Sequence, residues 1–164
     1  MARQAANDLP SLSLLDRLID LEPEKDAEAQ PGRAELVRRT RERVRRDLES
    51  LLNTRLRCEP VPEGLEALAG SVYNFGVPDN SGASLASPDE REALAAVIEE
   101  VIRRHEPRFS RLRVTVAESD RSERTLHFRI EAILNVRPEA RPIVFDSNLE
   151  PVSGEFLLKE SRGG

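Results

Sequence analysis

The stretch from Leu126 to Val136 limits the possible folds of this chain more than any other. Leu126, Phe128, Ile130, Ala132, Leu134 and Val136 alternate with His127, Arg129, Glu131 and Asn135, and Ile133 is the one apolar residue on the polar side. Successive side chains of a strand point to opposite faces, so this pattern specifies a strand with one buried and one solvated face. Such a strand needs hydrogen-bonded neighbours beside it and an apolar layer against its inner face. Just before it, Leu112, Val114 and Val116 alternate with Arg111, Arg113 and Thr115, and a polar turn from Glu118 to Glu123 joins the two stretches. The pair predicts an antiparallel hairpin. Beyond Pro138, Ile143 to Phe145 offers a short third strand and Gly154 to Glu160 a fourth, with Phe156 and Leu158 on one side.

The covering layer lies upstream, where the apolar period is helical. Leu94, Val97, Ile98, Val101 and Ile102 recur at three-and-four spacing between Ser87 and Arg108, which lays them along one face. Ser87 is placed to cap this helix, Pro88 suits its first position, and Glu90 is spaced for a capping box. Pro107 disfavours helical backbone at Glu106, so the helix stops there and leaves a carboxylate and a guanidinium at a rigid corner, Glu106-Pro107-Arg108. A second long helix runs from Ala34 to about Asn53 on Val37, Thr40, Val44, Leu48, Leu51 and Leu52, and a short apolar one from Leu65 to Val72. Between them and the sheet, Tyr73 to Asp79 reads as a shaped turn. Gly76 there is free to take positive φ, and two aromatics in a chain with no Trp make a packing hub.

The predicted fold class is α+β, with N-terminal helices packed on a small antiparallel sheet formed by the C-terminal half. Residues 33–164 form one domain. Residues 1–32 read as a flexible segment carrying a short amphipathic helix on Leu12, Leu14, Leu15, Leu18 and Ile19, followed by an acidic, Pro-containing linker.

The net charge of −5 argues against a general nucleic-acid or anionic-membrane binder. The charge is uneven, since Arg38, Arg39, Arg41, Arg43, Arg45 and Arg46 crowd the second helix. Without interleaved aromatics for base stacking, that face reads as solvated and ion-paired, with an acidic partner surface as the other option. No apolar run approaches the roughly 20 residues of a membrane span, which predicts no membrane insertion. The single cysteine, Cys58, fits a reducing compartment and a structural thiol. We therefore expect a cytoplasmic protein.

Catalytic constellations are weak. Glu99, Glu100 and Glu106 with Asp120 or Asp146 are carboxylate pairs by type, but among 30 acidic residues such pairs arise by chance. His105 and His127 are the only histidines and lack the partners that zinc or triad chemistry requires, and there is no phosphate loop. No cofactor, metal site or catalytic residue is predicted. For Glu106, Pro107 and Arg108 two readings stand at this level: an internal salt bridge at a helix end, or a contact that offers both charges to a partner.

Several blocks also occur in a fixed order. They are Leu14-Leu15-Asp16-Arg17-Leu18, Leu51-Leu52-Asn53-Thr54-Arg55, Ser71 to Asp79 (Ser-Val-Tyr-Asn-Phe-Gly-Val-Pro-Asp), Glu106-Pro107-Arg108, Phe145-Asp146-Ser147, and Glu150 to Phe156 (Glu-Pro-Val-Ser-Gly-Glu-Phe). Together they resemble the TssE family, the baseplate wedge subunits of bacterial type VI secretion systems, related to small wedge proteins of contractile phage tails. Tyr73 and Val77 stand where many relatives carry Leu. The resemblance implies a non-enzymatic assembly protein in the cytoplasmic baseplate of a membrane-anchored machine. It would contact the wedge proteins TssF and TssG and start polymerisation of the TssB–TssC sheath. It also implies that Glu106, Pro107 and Arg108 face the wedge core. An exposed strand edge can accept a strand from another chain, and Gly154, Glu155, Phe156, Leu157 and Leu158 are the expected edge. The alternatives are a small regulatory adaptor on the same scaffold and a peptidoglycan hydrolase, a label some relatives carry and this composition does not support.

Overall fold

A computed structural model describes residue 24 and residues 32–79, 87–117, 126–136, 139–150 and 154–161. The amphipathic helix expected near the N-terminus and the polar turn over 118–123 lie outside the described residues.

Four strands form one antiparallel sheet in sequence order: β1 (Phe109–Ala117), β2 (Leu126–Val136), β3 (Glu139–Leu149) and β4 (Phe156–Ser161). The alternation in β2 is realised along its length, with Leu126, Phe128, Ile130, Ala132 and Leu134 all buried and Arg129 and Glu131 exposed. β1 pairs with β2 as the predicted hairpin, Val114 opposite Ile130 and Val116 opposite Phe128. β3 is much longer than the expected Ile143–Phe145. Its inward series Ile143, Phe145, Ser147, Leu149 is interrupted by a serine, buried without exposure, which masks the period in the sequence. Pro142 sits inside β3, yet β4 reaches only to Val144, so the missing N–H falls where no fourth strand pairs.

Helices α1 (Arg33–Leu52) and α3 (Pro88–His105) supply the covering layer. α1 buries Leu36, Val44, Leu48, Leu51 and Leu52, and α3 buries Leu94, Ala95, Ile98 and Ile102. All of these but Leu36 join the inner sheet residues in one core, centred on the fully buried Phe128, Phe145, Ile98 and Leu48. The α+β class holds. Pro88 occupies the first turn of α3 as expected, but the Ser87 side chain makes no capping bond.

The segment between the two long helices differs from its sequence pattern. A single turn, α2 (Glu66–Ala69), is followed by a 3-10 turn at Val72–Asn74. Leu65 is 49% and Val72 88% exposed, so the spacing that suggested an apolar face has no surface to pack on. The turn after it does act as a hub. Phe75 packs on the core and meets His105 edge-on at 5.4 Å, and His105 Nε2 lies 2.9 Å from the Asn74 carbonyl. Val77 N–H donates to Thr54 O and Leu56 N–H to Val77 O, each at 2.8 Å, which ties this turn to the end of α1. Gly76 makes that approach possible. Its φ is +120°, and a Cβ there would stand 2.5 Å from Thr54 O.

Candidate functional site

The corner after α3 is built as the proline dictates. Glu106 N–H closes the helix on Ile102 O at 2.8 Å, the chain turns at Pro107, and Phe109 N–H bonds back to Glu106 O at 3.2 Å. Glu106 is 5% exposed. Its Oε1 accepts Arg108 Nε at 2.6 Å and the Arg108 backbone N–H at 3.1 Å, and its Oε2 pairs with the other arm of the same guanidinium. That guanidinium also donates to Asp47 Oδ2 on α1 at 2.6 Å. One side chain thus fastens the end of α3, the start of β1 and the middle of α1. The bond from Glu106, with Asp47 adding to it and burial opposing it, raises the Arg108 pKa above its ordinary value, so it stays a cation.

This geometry decides which of the expected residues are open to solvent. Both carboxylate oxygens of Glu106 are engaged inside the chain, so it cannot present its charge outward beside Arg108. Arg108 and Asp47 remain a third to a half exposed, and Pro107 is exposed. They border a cleft of about 400 Å³ that Leu51, Phe75 and His105 also line.

The C-terminal strand lies at the sheet edge, and Phe156 and Leu158 face the core while Leu157 is 58% exposed. Gly154 and Glu155 form the exposed turn before it, with Gly154 N–H bonded to Glu150 O at 2.8 Å. The edge is not bare. Asn53 Oδ1 accepts Phe156 N–H at 2.8 Å and Asn53 Nδ2 donates to Phe156 O at 2.9 Å. One turn back on α1, Glu49 Oε1 accepts Leu158 N–H at 3.3 Å, and a further turn back Arg45 donates to Leu158 O at 3.4 Å. Arg41 continues the series, donating to Pro142 O at 3.2 Å and pairing with Glu160 at 3.1 Å. In an antiparallel ladder alternate residues turn both backbone groups away from the neighbouring strand, so Phe156, Leu158 and Glu160 carry the outward groups of β4. The α1 side chains take all four of those on Phe156 and Leu158.

The opposite edge, β1, is dressed more lightly. Its register with β2 shifts between Ser110 and Arg113, where Arg111 has φ +50°. Glu99 of α3 accepts Val114 N–H at 3.0 Å while pairing with Arg103. Among the described residues no other side chain bonds an outward group of β1 between Val114 and Ala117.

The remaining candidates show no convergence. His127 Nδ1 bonds Asn148 Oδ1 at 2.8 Å on the open sheet face, and Cys58, expected as a structural thiol, is exposed. No group of three metal-binding side chains occurs among the described residues. Most of the α1 arginines are ion-paired as expected: Arg38 and Arg39 hold Glu35 and depress its pKa to about 2, and Arg45 lowers that of Glu42. The contacts of Asn53, Glu49, Arg45, Asp47 and Glu99 were not foreseen. Their only trace in the sequence is the four-residue spacing of polar groups at Arg41, Arg45, Glu49 and Asn53.

Residues 38–139 match the family described as "Baseplate wedge protein gp25". The chain belongs to the gp25 baseplate wedge family. Membership makes it a structural subunit of a baseplate, not an enzyme. The matched stretch takes in most of α1, the whole of α3, the corner and the β1–β2 hairpin. Among solved structures, a chain of "The baseplate complex from the type VI secretion system" is similar with TM-score 0.49 and 18% identity, over 69% of this chain and 96% of that one. A comparison with curated protein sequences found no match. Among the described residues, no helix of this wedge protein is long and apolar enough to cross a membrane.

Proposed function

We propose that this wedge protein is the TssE subunit of a type VI secretion baseplate, seated on TssF and TssG in the cytoplasm, and that the TssB–TssC sheath starts on it by strand addition. The ordered blocks through the chain support the assignment. The observation that carries the docking surface is the corner network. A cation held on its inner side by buried Glu106 keeps its outer side beside Asp47 and a cleft, which gives a partner a pre-positioned guanidinium at small entropic cost.

Arg108→Lys tests this directly. Lysine keeps a positive charge for Glu106 but loses the planar fork that reaches Asp47 as well. Co-purification with TssF and TssG should fall several-fold while the fold survives, and unchanged co-purification would reject the corner as the docking surface. In this reading the Gly154 to Leu158 segment contributes through its exposed turn and Leu157. Strand addition along β4 itself would first have to displace Asn53, Glu49 and Arg45.

A further inference from the structure

The arginines at the start of α1 outnumber the carboxylates that hold them. Arg38 and Arg39 share one, Glu35. Arg41 pairs with Glu160 of β4 at 3.1 Å and donates to Pro142 O of β3 at 3.2 Å, while its buried Nε has no acceptor among the described residues. Through the Pro142 contact the second turn of α1 is set beside the adjoining residue, Arg141. β4 pairs with β3 only as far as Val144, so among the described residues no strand stands between Arg141 and the start of α1.

That space is a cavity of about 510 Å³. Four guanidinium groups line it, those of Arg33, Arg38, Arg41 and Arg141, against the single carboxylate of Glu160. Ala34 and Val37 add apolar surface, and Val37, in the apolar stripe read for this helix, is only half-buried. Gly32 gives the first turn no side-chain cap, so the positive end of the helix dipole adds to the arginines. In a chain of net charge −5 this is a local reversal of sign.

We propose that this cavity is a second docking site, which binds an acidic segment of another protein through its side-chain carboxylates. It is separate from the corner, since Arg38 and Asp47 are nine residues apart, roughly 13 Å along α1. Each guanidinium has five N–H donors in a planar fork, so a bond inside the chain leaves others for a ligand. Forks on two different elements suit several carboxylates spaced along a peptide, and Ala34 and Val37 suit an apolar residue among them. No aromatic ring lines the cavity to stack on a base, which counts against a nucleic-acid strand. Glu24, in the acidic stretch before α1, is exposed and outside the lining, which favours another chain as the source.

Fluorescence anisotropy with the full chain tests the site, using a labelled peptide, Glu-Leu-Glu-Glu-Leu-Glu, and its neutral counterpart, Gln-Leu-Gln-Gln-Leu-Gln. The acidic peptide should bind and the neutral one should not. Arg33→Glu and Arg141→Glu, at exposed positions on two elements, should each weaken binding about tenfold with the melting temperature kept. Arg46→Glu, an equal change of charge at an exposed position of α1 outside the cavity, should leave binding unchanged. No binding of the acidic peptide, equal binding of the neutral one, or an equal loss from Arg46→Glu overturns the site. Tighter binding of inorganic tripolyphosphate overturns the choice of ligand. Neutralising Glu22, Glu24, Asp26 and Glu28 to their amides should change nothing, and a tenfold gain in peptide affinity would overturn the assignment to another chain.

Discussion

The two margins of the sheet are guarded by the same device at different strengths. At β4 three consecutive turns of α1 satisfy both groups of Phe156 and both of Leu158. At β1 one carboxylate of α3 satisfies a single N–H, and a bulge interrupts the rest. An unpaired margin is a template for any extended chain, so proteins cover, twist or charge it. The difference teaches that an edge strand's position in the topology does not establish its availability. Among the described residues, β4 is terminal in the sheet and closed at Phe156 and Leu158, and β1 is terminal and partly open.

The comparison can be broken hardest from a distance. Gly76→Ala forces a Cβ onto Thr54 O from a backbone with φ +120°, next to the residue that carries the α1 clamp. We expect a loss of about 3 kcal/mol in denaturant unfolding, together with loosening at Phe156. An unchanged midpoint would show that the Thr54–Val77 tie does not hold Asn53 in place. Asn53→Ala acts on the clamp itself and leaves two outward groups of Phe156 without a partner, for a loss of about 2 kcal/mol. Its counterpart, Glu99→Ala, frees one N–H and breaks an exposed pair with Arg103, so about 1 kcal/mol is expected. If Glu99→Ala proves the more damaging of the two, the ranking of the edges is wrong.

Acid gives the smallest effect and separates the carboxylates from the amide. The folded pKa of Glu35 lies at about 2, below its ordinary value of 4.5. A depressed carboxylate contributes stability that is present above the ordinary value and lost as the pH falls from there toward 2. The Glu35 side chain is 34% exposed, so solvent screening keeps this contribution slight. A shallow decline in melting temperature across that window is expected, with the first turn of α1 fraying before Asn53 releases Phe156. Equal loosening at both ends of α1 would show that the clamp depends on its acidic members.

Much of this was legible where one residue's neighbours decide its environment. The alternation of β2 and the apolar stripe of α3 each encode a face, and Leu126 to Leu134 in alternation and Leu94, Ile98 and Ile102 are buried as read, while Val97 and Val101 are half-buried. The corner was legible as a stop, because Pro107 acts on its own backbone. Its orientation was not, since the Arg108 guanidinium that pairs with buried Glu106 is also held by Asp47, 61 residues away. β3 was underestimated because Ser147 and Pro142 each break the strand pattern, and both are tolerated for reasons of position: one at a core site beside Phe128, the other beyond the reach of β4. The clamp on β4 was invisible for the same reason as the corner. Asn53 and Phe156 are 103 residues apart, and the four-residue spacing of Arg41, Arg45, Glu49 and Asn53 does not say that these side chains will bond a strand.

Amide hydrogen exchange on the free protein, resolved residue by residue, reads both edges at once. If α1 stands in for a fifth strand, the Phe156 and Leu158 amides will exchange as slowly as those inside the sheet, while the Val116 amide exchanges as an open edge does. Rapid exchange at Phe156 and Leu158, or slow exchange at Val116, would contradict it.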